Sequence, residues 1–139
     1  MKLLVCHSPN ASNCGIRTYG MQLDREFELL GLPPRQFTYL QPDAIADAAG
    51  PESALLVHVE RSFLSRLSYD FADLLRRVRT NGTRVAFCCH WFAPAFGEQW
   101  SPNVDARVVH RAYDGIEHIP NVVVIPLGCP MYSPVKDRA

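Results

Sequence analysis

The polar stretch Ser8–Ile16 joins an apolar run to the first helical pattern, and its residue types suit the binding of an anion. Ser12 or Asn13 can cap the helix that follows, and Gly15 lets a ligand approach the backbone closely. Free N–H groups at such a helix start favour phosphate or carboxylate. The alternative is an ordinary strand-to-helix turn with a polar cap, because one glycine is a much weaker signal than a full dinucleotide fingerprint.

Histidines and one glutamate follow the apolar runs, where an open α/β sheet gathers its ligand-binding groups. Four of the five histidines lie at predicted strand ends: His7, His58, His90 and His110. His90 is expected either to face the crevice beyond the strands or to have a structural role. Glu60 is expected either to accept a sugar hydroxyl or to lie in a solvated loop. We expect His58 and His110 instead to be buried within their strands and hydrogen-bonded.

The five cysteines indicate neither a disulfide framework nor a zinc ribbon, because the count is odd and no Cys-x-x-Cys pair occurs. Cys6, Cys88 and Cys89 lie in apolar runs and are interpreted as small buried hydrophobes. Helix N-termini lower thiol pKa values in general, so Cys14 is the candidate reactive thiol. Cys88, Cys89 and His90 could ligate a metal, but no second cluster matches them. We therefore predict no metal site and no cofactor.

Composition predicts one globular domain over residues 1–130, followed by a polar tail over 131–139 that we expect to be disordered. Of 139 residues, 47% are hydrophobic, which is enough for a sizeable core. A formal net charge of zero argues against broad binding to nucleic acid or to an anionic membrane. The first apolar run is too short for a signal peptide or a membrane span, so we expect a cytoplasmic protein without a transmembrane segment.

Strand and helix patterns alternate along the chain. The predicted strands are Lys2–His7, Gln36–Leu40, Ala54–Val59, Arg84–His90, Ala106–His110 and Asn121–Ile125. Helices are predicted over Gly15–Leu30, Ala44–Ala49 and Arg111–Ile119. The first has an apolar face of Ile16, Tyr19, Leu23, Phe27 and Leu30, and a further helix has an apolar face of Leu67, Phe71, Leu74, Leu75 and Val78. This alternation predicts an α/β fold with a single Rossmann-like, doubly wound, mainly parallel sheet of about six strands. Helices should cover both faces, and the first strand should be central.

Five segments in a consistent order resemble those of one enzyme group. They are Asn13–Tyr19, Val57–Glu60, Arg84–His90, Val104–His110 and Asn121–Cys129, the last with an Ile-Pro-x-Gly pattern. Together they resemble the N-terminal, acceptor-side domain of GT-B-type retaining glycosyltransferases, the group that includes glycogen synthase and bacterial mannosyltransferases. The likeness extends along nearly the whole chain.

The resemblance implies roles for particular residues. In that group the first loop lies near the donor diphosphate, which implies that Asn13–Gly15 bind phosphate. A histidine ending the fourth strand faces the reacting sugar, which makes His90 the catalytic candidate. Glu60 and Gly128 lie in matching segments at other strand ends and are expected to contribute to substrate binding.

The chain departs from the group at its end, because no second Rossmann-like domain with a nucleotide-sugar pocket follows the Ile-Pro-x-Gly pattern. We therefore expect a glycosyltransferase-like half domain that needs a separate donor-binding domain or partner, or forms a homo-oligomer, to transfer a hexosyl group from a nucleotide sugar.

Two other functions stay open. One is a non-catalytic module that retains the fold and binds a protein or a small anionic ligand. The other is a small α/β enzyme that uses His90 with Cys14 as nucleophile. One loop is expected either to dock a partner or to fold onto the domain's own core, and its aromatic residues are Trp91, Phe92, Phe96 and Trp100.

Overall fold

A computed structural model describes residues 1–9, 15–60, 64–89, 102–110 and 120–125. Its strands are β1 Lys2–His7, β2 Arg35–Thr38, β3 Ser53–Val59, β4 Arg84–Cys89, β5 Ala106–Val109 and β6 Val122–Val124. Its helices are α1 Gly15–Leu29, α2 Pro42–Ala48 and α3 Phe71–Thr80. Within the described residues, strands and helices follow one another as the sequence predicts. The predicted helix over 111–119 and the tail over 131–139 lie outside the described residues.

The six strands form one parallel sheet in the order β2-β1-β3-β4-β5-β6. This arrangement confirms the predicted Rossmann-like, doubly wound α/β fold. β1 is internal but lies second from the β2 edge, so it is less central than predicted. The reason is topological: only β2 is added on one side of β1, whereas β3 to β6 are all added on the other.

Helices lie on both faces of the sheet. The connection from β1 to β2 runs to one side and the later connections run to the other, so right-handed crossovers place α1 opposite α2 and α3. The contacts agree, since α2 packs against α3. Tyr19 of α1 lies against His58, whose side chain points away from the α2–α3 face that holds Val57 and Val59.

The main hydrophobic core fills the space between the sheet and the α2–α3 layer. Alternate strand residues point into it because successive side chains of a strand face opposite ways. Its largest members are Leu4, Phe37, Tyr39, Ile45, Leu55, Leu64, Phe71, Leu74, Leu75 and Phe87.

Local signals set the helix ends. α2 begins at Pro42, where a missing N–H costs nothing. α3 begins at Phe71, because the Asp70 carboxylate accepts hydrogen bonds from the backbone N–H groups of Ala72 and Asp73. Leu67 therefore precedes this helix rather than belonging to it, although it still packs against the core.

The end of α1 corrects one predicted core residue. Leu32 N–H donates to the Phe27 carbonyl at 2.8 Å, and Gly31 N–H donates to the Glu28 carbonyl at 3.0 Å. Gly31 has a φ of 78°, as this helix-ending motif requires. Leu30 is predicted to lie on the apolar face but is 74% exposed, because the helix has already ended at Leu29. No helix among the described residues is long and apolar enough to cross a membrane.

Candidate functional site

The carboxyl edge of the sheet between β1 and β3 is the candidate ligand crevice. Cys6 pairs with Val57, which places the two strands side by side, while the chain leaves β1 toward β2 on the other side. Loops diverge at such a switch point and leave room for a ligand. His7 ends β1 and Glu60 follows β3, so these two polar residues flank the crevice.

Glu60 has a side-chain hydrogen-bond acceptor to which no described residue donates. Its Oε2 atom is buried and accepts no hydrogen bond within the described part of the chain. Buried polar atoms normally have a partner, because an unpaired one loses its interactions with water without replacement. A hydroxyl or N–H group of a ligand would supply the missing donor.

Tyr39 holds the backbone beside Glu60. Its hydroxyl donates to the carbonyl of His58 and accepts a hydrogen bond from the Glu60 N–H at 3.3 Å. The Tyr69 hydroxyl in turn donates to the Tyr39 carbonyl at 2.6 Å. Burial raises the pKa of Tyr39 well above its ordinary value, so the phenol stays neutral and keeps its proton to donate.

His7 presents a neutral imidazole at the other side of the crevice. Its Nδ1 lies 2.8 Å from the Ser8 carbonyl oxygen, which only accepts, so Nδ1 carries the hydrogen. Burial lowers the pKa of His7, and the Arg17 cation lowers it further, against opposing effects of the Ser8 carbonyl and Asp24. In the neutral form, Nε2 of His7 is an acceptor.

A partly buried ion pair on α1 lies near His7. Arg17 Nη1 is 3.9 Å from Asp24 Oδ2, and Gln36 Nε2 donates to the same oxygen at 2.7 Å. Asp24 is only 9% exposed, and burial raises its pKa despite the opposing effects of Gln36 and Arg17. Arg17 Nη1 makes no hydrogen bond within the described residues. The guanidinium lies in the first turn of α1, where this N–H group can donate to an anionic ligand.

A second polar cluster lies under α1. The Tyr19 ring is edge-on to His58 and His110, with ring centroids 6.2 Å and 5.0 Å away. Gly20 makes room for this packing, because a Cβ atom there would lie 3.3 Å from His58 Nε2. His58 is 1% exposed, as its position in an apolar strand predicts. These histidines belong to the packing between helix and sheet.

Hydrogen bonds extend this cluster to the last strand. His110 Nδ1 lies 3.0 Å from the Ile125 carbonyl and so carries the hydrogen, which leaves Nε2 facing Cys88 Sγ at 3.9 Å. Burial raises the pKa of the Cys88 thiol to about 12, and it also raises the pKa of Cys6. Both are therefore protonated near neutral pH and do not act as nucleophiles.

The described structure includes two of the predicted site residues. Gly15 is the first residue of α1, and Glu60 flanks the crevice. His90, Asn13, Cys14 and Gly128 lie outside the described residues, as does the aromatic loop over 91–100. The roles of His90 and of the Asn13–Gly15 loop therefore stay predictions.

Sequence reasoning did not single out Arg17, Asp24 or Tyr39. The first two lie about two turns apart on the same side of α1, which is the signal that could have identified them. Tyr39 gave no such signal, because its partners are in β3 and just beyond it.

Within the described ranges, no group of three or more His, Cys, Asp or Glu side chains could hold a metal ion. No protein-family model matches the chain, and no curated protein matches it. The resemblance to the N-terminal domain of GT-B glycosyltransferases therefore rests on the segments of this chain alone.

The described residues equip the crevice to bind a ligand rather than to react with one covalently. Glu60 supplies an unfilled acceptor, His7 a neutral imidazole, and the start of α1 with Arg17 a positive region. Such a combination fits a ligand that has hydroxyl groups and a negatively charged part.

Proposed function

We propose that this chain is an acceptor-side, glycosyltransferase-like half domain that binds sugar ligands at the carboxyl edge between β1 and β3. The observation that carries the proposal is the buried Glu60 Oε2 at the switch point of the sheet, to which no described residue donates a hydrogen bond. The family resemblance of five ordered segments supports the same conclusion. A cytoplasmic location is part of the proposal.

Sugar hydroxyls are well matched to Glu60. A carboxylate oxygen accepts hydrogen bonds only, and a sugar presents several O–H donors, so the pair forms a charge-assisted hydrogen bond. The α1 start and Arg17 provide a region of opposite charge for a diphosphate. In this proposal Glu60 fixes the sugar, whereas the Asn13–Gly15 loop contacts the phosphate and His90 faces the reacting centre.

Transfer by this half domain requires a donor-binding partner. The donor must be held in line with the acceptor, and this positioning supplies much of the rate of a two-substrate reaction. The charge that develops on the leaving diphosphate also needs donors on its far side. We therefore expect the 139-residue chain to bind nucleotide sugars weakly or not at all, and to show no transferase turnover.

Calorimetry with a panel of nucleotide sugars, followed by a product assay on the same preparation, tests this proposal. Glu60→Gln is the matched variant, since it keeps the size of the side chain but replaces one acceptor oxygen by a donor. Weak binding that this variant removes, without turnover, supports the half-domain function. Micromolar binding with measurable transfer would show instead that the chain needs no partner.

A non-catalytic module that binds a small anionic ligand is the second candidate. It is favoured by Arg17, whose buried Nη1 makes no hydrogen bond within the described residues and lies near the start of α1. Titration with inorganic phosphate, followed by amide NMR, tests this candidate. Shifts at Gly15 and its neighbours that disappear in Gly15→Val, without any response to sugars, favour the module; a phosphate titration that moves no amide there contradicts it.

A further inference from the structure

The two edges of the sheet differ in how they are protected. The β2 edge carries exposed Arg35 and Gln36, and the Arg35 guanidinium stacks over Phe37 at 5.2 Å. Charged residues at an edge oppose the addition of another strand. The β6 edge has no charge, and Val123, Val124 and Ile125 are 49%, 45% and 47% exposed. Within the described residues, this edge lacks the charged side chains that oppose strand pairing at the β2 edge.

The hydrogen bonds to β5 show which β6 groups point outward. Arg107 N–H donates to the Asn121 carbonyl at 2.9 Å, and Ile125 N–H donates to the Val109 carbonyl at 2.8 Å. Alternate residues of a strand bond to opposite neighbours, so Asn121, Val123 and Ile125 bond toward β5. The N–H and C=O groups of Val122 and Val124 therefore point away from the sheet. Within the described residues, no strand pairs with that side.

We propose that β6 pairs with β6 of a second copy of this chain, in antiparallel orientation about a twofold axis at Val123. In this register Val122 lies opposite Val124 of the second copy, and each such pair exchanges two backbone hydrogen bonds. The two Val123 side chains face each other on the other side of the sheet. The two sheets become one continuous sheet.

A second copy fits this edge for two reasons. A twofold interface needs a surface that complements itself, and a strand of three valines places valine opposite valine throughout. The chain also has zero formal net charge, so two copies approach without overall repulsion. The β2 edge does not complement itself in this way, because Arg35 and Gln36 are exposed there.

Sedimentation velocity of the full 139-residue chain over a range of concentrations tests the pairing. We expect a monomer–dimer equilibrium that Val123→Lys weakens by about tenfold or more, because the twofold axis places two like charges opposite each other. Leu40→Lys adds the same charge at an exposed position just beyond β2, near the other edge, and should leave the equilibrium unchanged. Circular dichroism of each variant confirms that it is folded.

A disulfide provides an independent readout. Non-hydrogen-bonded antiparallel pairs have Cα atoms about 4.5 Å apart, which is within the range that a disulfide spans. Oxidised Val123→Cys should yield a covalent dimer in which peptide mapping finds position 123 joined to position 123. A chain that is monomeric at every concentration, a dimer that Leu40→Lys weakens and Val123→Lys does not, or a covalent dimer joined only through other cysteines would each overturn the proposal.

Discussion

The hydroxyl of Tyr39 donates a hydrogen bond to the backbone carbonyl of His58, and this bond joins the end of β2 to β3 across the intervening β1. Tyr39 N–H also donates to the His7 carbonyl at 3.1 Å, so one residue is attached to both strands that border the crevice. Because the same hydroxyl accepts from Glu60 N–H, the backbone at the candidate site depends on it.

Tyr39→Phe should lower the free energy of unfolding by about 1–3 kcal/mol, because the buried His58 carbonyl and the Glu60 N–H both lose their partner. Urea denaturation measures this loss. Tyr69→Phe is the matched control, since the half-buried Tyr69 hydroxyl donates to the Tyr39 carbonyl, its one hydrogen bond within the described residues. A loss for Tyr39→Phe no larger than that of the control would contradict the bridging role.

Gly82→Ala should destabilise the chain more than Gly31→Ala does. Both glycines have positive φ, 93° and 78°, so either substitution strains the backbone by about 1–2 kcal/mol. A Cβ atom at Gly82 would also lie 2.8 Å from Pro51 Cα, whereas nothing lies within 4 Å of one at Gly31. The difference between the two unfolding free energies measures the clash with Pro51, and equal losses would mean that this clash is relieved without cost.

Asp105→Asn should lower stability at neutral pH by about 1–2 kcal/mol. Burial raises the pKa of Asp105, but the Val85 N–H at 2.8 Å and the Arg79 guanidinium more than offset it, so the folded-state pKa lies below its ordinary value. The charged form is thus favoured in the folded state. The stability that the charged Asp105 carboxylate contributes is complete above its unfolded-state pKa and is lost as pH falls through its lower folded-state pKa.

Denaturation of the native chain and of Asp105→Asn between pH 7 and pH 2 checks the direction of this pH dependence. The stability difference between the native chain and Asp105→Asn should be constant near neutral pH and shrink below about pH 4. A difference that persists unchanged at the acid end would show that the carboxylate charge is not what Arg79 and Val85 N–H stabilise.

Cys6 and Cys88 should resist alkylation in the folded protein at pH 7, because burial raises both thiol pKa values and hides both sulfur atoms. Iodoacetamide labelling with peptide mass mapping, in native buffer and in urea, measures each thiol separately. Both should react only in urea. The same map reports whether Cys14 reacts first, as a cysteine at a helix start is expected to do, and rapid native labelling of Cys88 would refute its buried role.

Much of the fold could be predicted because its signals are local. The continuous apolar run of β1 indicates a strand covered on both faces, and the apolar spacing of α1 indicates an amphipathic helix. The strand order 2-1-3 could not be predicted this way, because it depends on pairing between segments distant in sequence. The apolar pattern wrongly places Leu30 on the buried face of α1 for a local reason. The left-handed turn at Gly31 ends the helix at Leu29, one residue before the apolar pattern ends.

The candidate site was less predictable for the same reason. Glu60 could be proposed from the sequence because it follows an apolar strand, and strand ends border the crevice. The groups that position it could not, because Tyr39 lies 21 residues away in sequence. The partner that joins Asp24 to β2, Gln36, is likewise 12 residues from it. Side chains that meet through the fold leave no spacing pattern in the sequence.

Amide NMR of the isotope-labelled chain, titrated with methyl glycosides of glucose, mannose and galactose, tests the proposed site most directly. At least one of these sugars should move the amides of Ser8 and Glu60 in a saturable way, and Glu60→Gln should abolish the effect while the rest of the spectrum is retained. Titrations in which no sugar moves these amides, or in which Glu60→Gln responds as the native chain does, would contradict the assignment of Glu60 and the β1–β3 crevice as a sugar-binding site.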